Sequence, residues 1–148
     1  MESLNEILII APCGMNCSIC MAYLREKNKC PGCKGTDLKK PVTRVECKIK
    51  NCETVKRNET NFCYECKEFP CNNLRHLDKR YRTKYKMSMI ENLENIKQMG
   101  MRRFLINEKS RWLAPSAEVL FVFIKDIVII AGTKIRKSRP MLYRLTSG

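Results

Sequence analysis

Ten cysteines carry the chemistry open to this chain, and all of them lie between Cys13 and Cys71. Three of them fall in one short stretch, CGMNCSIC, where Cys13, Cys17 and Cys20 are spaced C-x3-C-x2-C. Radical enzymes use that spacing to hold an iron–sulfur cluster that cleaves S-adenosylmethionine. Such chemistry needs a barrel of strands and helices to shield the radical. A chain of 148 residues with this order of elements does not supply one. The other seven cysteines would also be left without a role, so this reading is excluded.

Cys17 and Cys20, Cys30 and Cys33, and Cys63 and Cys66 are CxxC pairs, and Cys47 and Cys52 form a looser C-x4-C pair. Two cysteines separated by two residues can aim both sulfurs at one ion from a tight turn. In CPGC, Pro31 fixes φ and Gly32 lets the backbone approach a metal. The opening MESLNEILIIAPCG has no basic n-region and only a short apolar run, so no secretory signal is expected and the expected location is cytoplasmic. In a reducing pool, dense cysteines read as metal ligands or catalytic thiols before disulfides.

Grouping by proximity assigns Cys17, Cys20, Cys30 and Cys33 to one ion and Cys47, Cys52, Cys63 and Cys66 to a second. Cys13 and Cys71 are left over. They could replace a ligand in either set, belong to an interleaved arrangement, or act as a reactive thiol. Zinc, at about two ions, is the expected cofactor, since closed four-sulfur sites built from knuckles are its commonest use. An iron–sulfur cluster is the alternative, because thiolate-only sites suit both.

The formal net charge of +14 is unevenly divided. Residues 1–71 hold 12 basic and 9 acidic side chains, net +3, and residues 72–148 hold 17 and 6, net +11. Such a second half suggests an anionic partner without naming it. Arg75, Lys79, Arg82 and Lys86 recur at intervals of four, three and four, which places them on one helix face. That face is either a phosphate-contacting ridge on nucleic acid or a solvated surface. His76, the only histidine, has no Asp or Cys at catalytic spacing and reads as a surface residue. No paired carboxylates, Ser/His/Asp set or glycine-rich phosphate loop stands out.

These side chains must be positioned by few elements. Leu4 to Ala11 reads as a short strand or buried lead-in, and a short helix is expected from about Ser18 to Lys27. Residues 28–61 are polar and lack the apolar surface to order themselves without metal. Asn72 can cap a helix running to about Lys86, with Leu74, Leu77, Tyr81 and Tyr85 as its buried stripe. Ser88 opens a Ser-x-x-Glu capping box with Glu91, the helix Met89–Met99 buries Ile90, Leu93 and Ile96, and Gly100 ends it. A shorter helix is expected from Arg102 to Asn107. The two apolar runs after Pro115, split by Lys125 and Asp126, predict a hairpin or a pair of core strands. Neither run is long enough for a membrane span.

APCGMNCSICMAY, CPGC, CKIKNC, FCYECKEFPC and LRHLDKRY, in that order, resemble a prokaryotic cysteine-rich family, domain-of-unknown-function family 3795. The resemblance covers roughly residues 11 to 112. It implies a small cytoplasmic protein that binds zinc, and no established activity. Similar chains continue into a zinc ribbon. Here Ala114, Ala117, Val128 and Ala131 stand where its four cysteines would fall, so apolar packing is expected in place of that metal site.

The sequence thus predicts a small, metal-stabilised α+β fold: an irregular cysteine-knuckle module, two or three helices, and a short C-terminal β-hairpin. The expected divisions are a metal-binding module over 1–71, a basic helical segment over 72–112, a degenerate ribbon-like hairpin over 113–134, and a basic tail over 135–148. The expected role is a non-enzymatic binding module for nucleic acid or an acidic partner, the alternative being an iron–sulfur or thiol-based redox or metal-handling protein.

Overall fold

A polar chain with little hydrophobic periodicity cannot sustain long helices, and the cysteine-rich half folds in single turns. The computed structural model describes residues 8–112 and, beyond them, the backbone of three short strands. A 3-10 turn covers Cys17–Ile19, followed by α1 (Met21–Leu24). A second 3-10 turn, Asp37–Lys39, precedes α2 (Val42–Val45) and α3 (Glu53–Arg57), and a third covers Cys63–Glu65. The helix expected from Ser18 to Lys27 therefore stops at Leu24. Of the expected strand Leu4 to Ala11, residues 4–7 lie outside the described residues, and Ile10 makes only an isolated bridge with Asn16.

Past Pro70 the apolar period becomes helical and the elements lengthen. Helix α4 spans Asn72–Tyr85, α5 Met89–Met99 and α6 Met101–Trp112. Helix α5 starts as its sequence dictates, with Ser88 Oγ accepting the Glu91 N–H at 3.0 Å. Helix α4 differs at its start: Cys71, not Asn72, is the cap residue, and it makes no side-chain capping bond. Helix α6 runs five residues beyond the expected Asn107. Phe104, Glu108 and Trp112 form its buried face, and the acid in the middle interrupts the apolar pattern. Trp112 Nε1 donates to Glu108 at 2.8 Å, which satisfies the buried carboxylate. Among the described residues no helix is long and apolar enough to cross a membrane.

The α+β expectation is corrected. Residues 8–112 form six α-helices and three 3-10 turns with no strand and no hairpin, so the body is helical. The later strands β1 (Val119–Val122), β2 (Ile127–Ile130) and β3 (Thr133–Arg136) are a three-stranded antiparallel arrangement rather than the expected hairpin. The hairpin reading rested on two β-branched runs and assigned the basic stretch from residue 135 to a tail. The expected apolar replacements at Ala114, Ala117 and Ala131 lie outside the described residues, as does the packing of Val128.

One core serves both halves of the helical body. Ile10 and Ile19 from the cysteine-rich part and Leu74, Met89 and Leu93 from the helices are its most deeply buried large side chains. The two halves meet at Gly14, whose φ of +89° suits glycine and little else. A Cβ there would lie 2.9 Å from both Leu93 Cγ and the Met89 carbonyl oxygen. Asn92 Nδ2 donates to the Gly14 carbonyl at 3.0 Å, closing the contact from the other side.

Candidate metal centre

Two of the CxxC pairs are built in the same way. The Cys20 N–H donates to the Cys17 carbonyl at 3.0 Å, and the Cys66 N–H to the Cys63 carbonyl at 3.1 Å. Each pair is thus a closed 3-10 turn with its second cysteine at the exit. Asn16 sets the first turn, its Oδ1 accepting from the Ser18 N–H at 3.0 Å and from Ser18 Oγ at 2.6 Å. The CPGC turn is held from behind by Lys40, whose side chain is fully buried. Lys40 Nζ donates to the Cys33 carbonyl at 2.8 Å, the Gly35 carbonyl at 2.7 Å and Asp37 Oδ1 at 2.8 Å. Lys50 joins the same Asp37 oxygen.

A cavity of about 360 Å³ collects Cys13, Cys17, Cys20, Cys30, Cys33 and Cys47 on its walls. Cys17 and Cys33, from different CxxC pairs, are hydrogen-bonded through their side chains. The Cys17 thiol is pushed far above its ordinary range, first by the bond to Cys33 and then by burial. Cys33 is correspondingly lowered, by the same bond and by the charges of Lys40, Arg44 and Lys50, which outweigh its desolvation. Burial, with Cys33 beside it, pushes the Cys13 thiol far above its ordinary range.

The remaining cysteines make a second neighbourhood. The Cys63 thiol is pushed up to about 12, by burial first and then by Cys71, Cys52 and Cys66. Cys47 also bears on Cys63 while lining the cavity, so it stands between the two groups. Among the described residues, no three Cys, His, Asp or Glu side chains converge closely enough to hold an ion as they stand. The donor set suits a soft or borderline metal: all ten cysteines are free thiols and every one is at least half-buried.

Cys17, Cys20, Cys30 and Cys33, grouped by proximity in the sequence, share the cavity. Of the second group, Cys52, Cys63 and Cys66 share the other neighbourhood, whereas Cys47 lines the cavity. Cys13 and Cys71, left over in that grouping, stand one in each place. His76 also lines the cavity, together with Arg44, Lys48 and Arg80.

Arg75, Lys79, Arg82 and Lys86 are all exposed, but two of them are structurally engaged. Arg75 Nε donates to the Pro70 carbonyl at 2.8 Å. Arg82 Nε donates to Asp78 Oδ2 at 2.6 Å, and its Nη2 donates to Ser88 Oγ at 2.8 Å. Asp78 is the centre of that network, accepting also from Ser88 Oγ at 2.7 Å and from the Ile90 N–H at 3.0 Å. Burial raises its carboxyl, but the Ile90, Ser88 and Arg82 bonds more than offset this and leave it lowered. Sequence reading missed Lys40 and Asp78. For Lys40 a signal existed, Asp37 three residues earlier in a glycine turn; Asp78 and its partners Ser88 and Ile90 are too far apart in sequence to give one.

Residues 9–76 match the family model described as "Protein of unknown function (DUF3795)". The match ends at His76, within α4, so α5 and α6 lie beyond it. No curated protein and no solved structure matches the chain.

Proposed function

From the premise that residues 9–76 belong to the DUF3795 family, whose function is not assigned, we propose that this chain is a thiolate metal-binding module. In this reading zinc occupies two cysteine centres and fixes a basic surface that engages nucleic acid. The observation that carries it is one cavity lined by six of the ten free, buried or half-buried cysteines.

Loading requires the sulfurs to turn inward until they stand about 2.3 Å from the ion. The protein supplies closed 3-10 turns that keep paired sulfurs together, and the Lys40 clamp that holds the CPGC backbone. Nucleic-acid binding draws on exposed Lys79 and Lys86 on the helix face, with affinity that falls steeply with salt.

A second reading is favoured by the cavity, which is wider than a single ion requires: an iron–sulfur cluster held by four of its six thiols. Elemental analysis and visible absorption of the purified full chain separate the two. A colourless zinc protein supports the proposal, strong visible absorption with iron supports the cluster, and metal-free protein refutes both. Titration with single-stranded RNA and duplex DNA across a salt series tests the surface. Absence of binding even at low salt overturns the nucleic-acid part and leaves an acidic protein as the partner to seek.

A further inference from the structure

We infer that the solvent end of the cysteine cavity is an anion site, which takes a nucleotide phosphate between Arg44 and Lys48 on one stretch of chain and His76 and Arg80 on another. The site rests on the nucleic-acid part of the reading above for its ligand and deepens it, and it needs no metal.

Helix α4 lines the cavity with Asn73, His76, Leu77, Arg80 and Tyr81, a spacing that repeats one helical face. Lys79 and Lys86 fall on a different face. His76 and Arg80 stand one turn apart, and Arg44 in α2 and Lys48 just beyond α2 line the same cavity from a separate segment. Lys48, His76 and Arg80 are exposed and Arg44 is half-buried, so these side chains stand where the cavity opens to solvent.

No Asp or Glu is among the described residues that line this cavity. Among the described residues, none of the four basic side chains makes an ion pair. Cations gathered in one concave place without a carboxylate between them favour an anion there. Phosphate suits these donors best. The two guanidinium groups can fork onto paired phosphate oxygens, and Lys48 adds a point charge. The His76 imidazole offers an N–H donor in either charge state. Helix α4 begins beside the cavity, and its cap residue Cys71 makes no side-chain capping bond, so the positive end of the helix adds to the same field. At about 360 Å³ the cavity falls within the span of about 300–1,000 Å³ usual for a small-molecule site, enough for one nucleotide unit. Metal-bound thiolates are the other counter-charge open to these cations, so metal content is read beside binding.

The test is binding of a fluorescent single-stranded oligonucleotide, a mononucleotide and inorganic phosphate to the full chain, with metal per chain measured in each variant. Arg44→Gln together with Arg80→Gln is expected to lower the salt slope of oligonucleotide binding by about two units. Metal content is expected to stay unchanged, and Lys97→Gln on α5 should bind as the wild type does. Mononucleotide or phosphate binding that needs both arginines, without oligonucleotide binding, upholds the site and overturns the nucleic-acid part of the proposed function. Oligonucleotide binding that the double variant leaves intact overturns the site and upholds that part. A double variant that loses metal along with binding also overturns the site, because its cations then serve the thiolates. Failure of all three probes to bind overturns both. If the double variant does not fold, nitrogen-15 shift mapping of the wild type with the mononucleotide decides. Shifts at Thr43, Arg44, Asn73 and Arg80 uphold the site, and shifts confined to Lys79 and Lys86, or none, overturn it.

Discussion

Replacing Gly14 by alanine tests whether the cysteine-rich half and the helices really form one body. Gly14 has φ +89°, and its added methyl would stand 2.9 Å from Leu93 Cγ and from the Met89 carbonyl, and 3.3 Å from Asn92 Cβ. Two costs follow: the strained backbone, about 1–3 kcal/mol, and overpacking against α5, about another 1–3 kcal/mol. Gly100 provides the control, because its φ is +83° and nothing lies within 4 Å of the Cβ it would gain. Gly100→Ala therefore meets the first cost alone. The difference between the variants isolates the contact, and we expect Gly14→Ala to be less stable by about 1–3 kcal/mol. Urea unfolding of the metal-loaded full chain measures it, followed by the fluorescence of Trp112, the only tryptophan, which is buried in the same core. If Gly14→Ala costs no more than Gly100→Ala, the loop is not pressed against α5 and the shared core is wrong.

Further outcomes are expected elsewhere. Lys40→Met keeps the aliphatic stem but removes the three bonds behind CPGC, and should cost on the order of 2–3 kcal/mol; a chromogenic chelator should then strip metal from the variant faster than from the wild type. Asp78→Ala should destabilise the helices at neutral pH. Because the Asp78 carboxyl is lowered in the folded state, its contribution is full above the unfolded carboxylate value of about 3.9 and disappears as pH falls through the folded value. The stability gap between wild type and Asp78→Ala should therefore close in acid; a constant gap down to the lowest pH at which both fold would refute that charge-based account. Under the zinc reading, metal loss in acid affects both proteins and drops out of the difference. Lys79→Ala should lower the salt dependence of nucleic-acid binding by about one unit of slope with stability intact. Arg82→Ala should instead lower stability, because that side chain ties Asp78 to Ser88.

What could be read from the sequence was what local chemistry decides. Helix α5 has the expected ends because Ser88 and Gly100 act on the residues beside them. The apolar stripe of α4 follows from spacing alone, with Leu74 fully buried and Leu77, Tyr81 and Tyr85 packed partly against the core. Where the deciding partner is distant, the reading stopped. The expected helix Arg102 to Asn107 stops short of Glu108, whose partners Trp112 and Asn16 satisfy a buried acid only in the folded chain. The turns at Cys17 and Cys63 come from knuckle geometry, which carries no helical period. The neighbours of Cys13, Cys47 and Cys71 depend on how those turns assemble, and CxxC spacing says nothing about that.

Cys71 is both a member of the second cysteine neighbourhood and the residue from which α4 departs. The Arg75 N–H returns to the Cys71 carbonyl at 2.9 Å, and the Arg75 guanidinium to Pro70, so the first turn is anchored on the stretch that carries the sulfur. The helix axis is therefore set at the same point where this thiol is set. Under the zinc reading, occupancy of that centre aims the basic surface as well as stabilising the fold. A chain stripped of metal would lose the orientation of its cations before it lost the cations themselves.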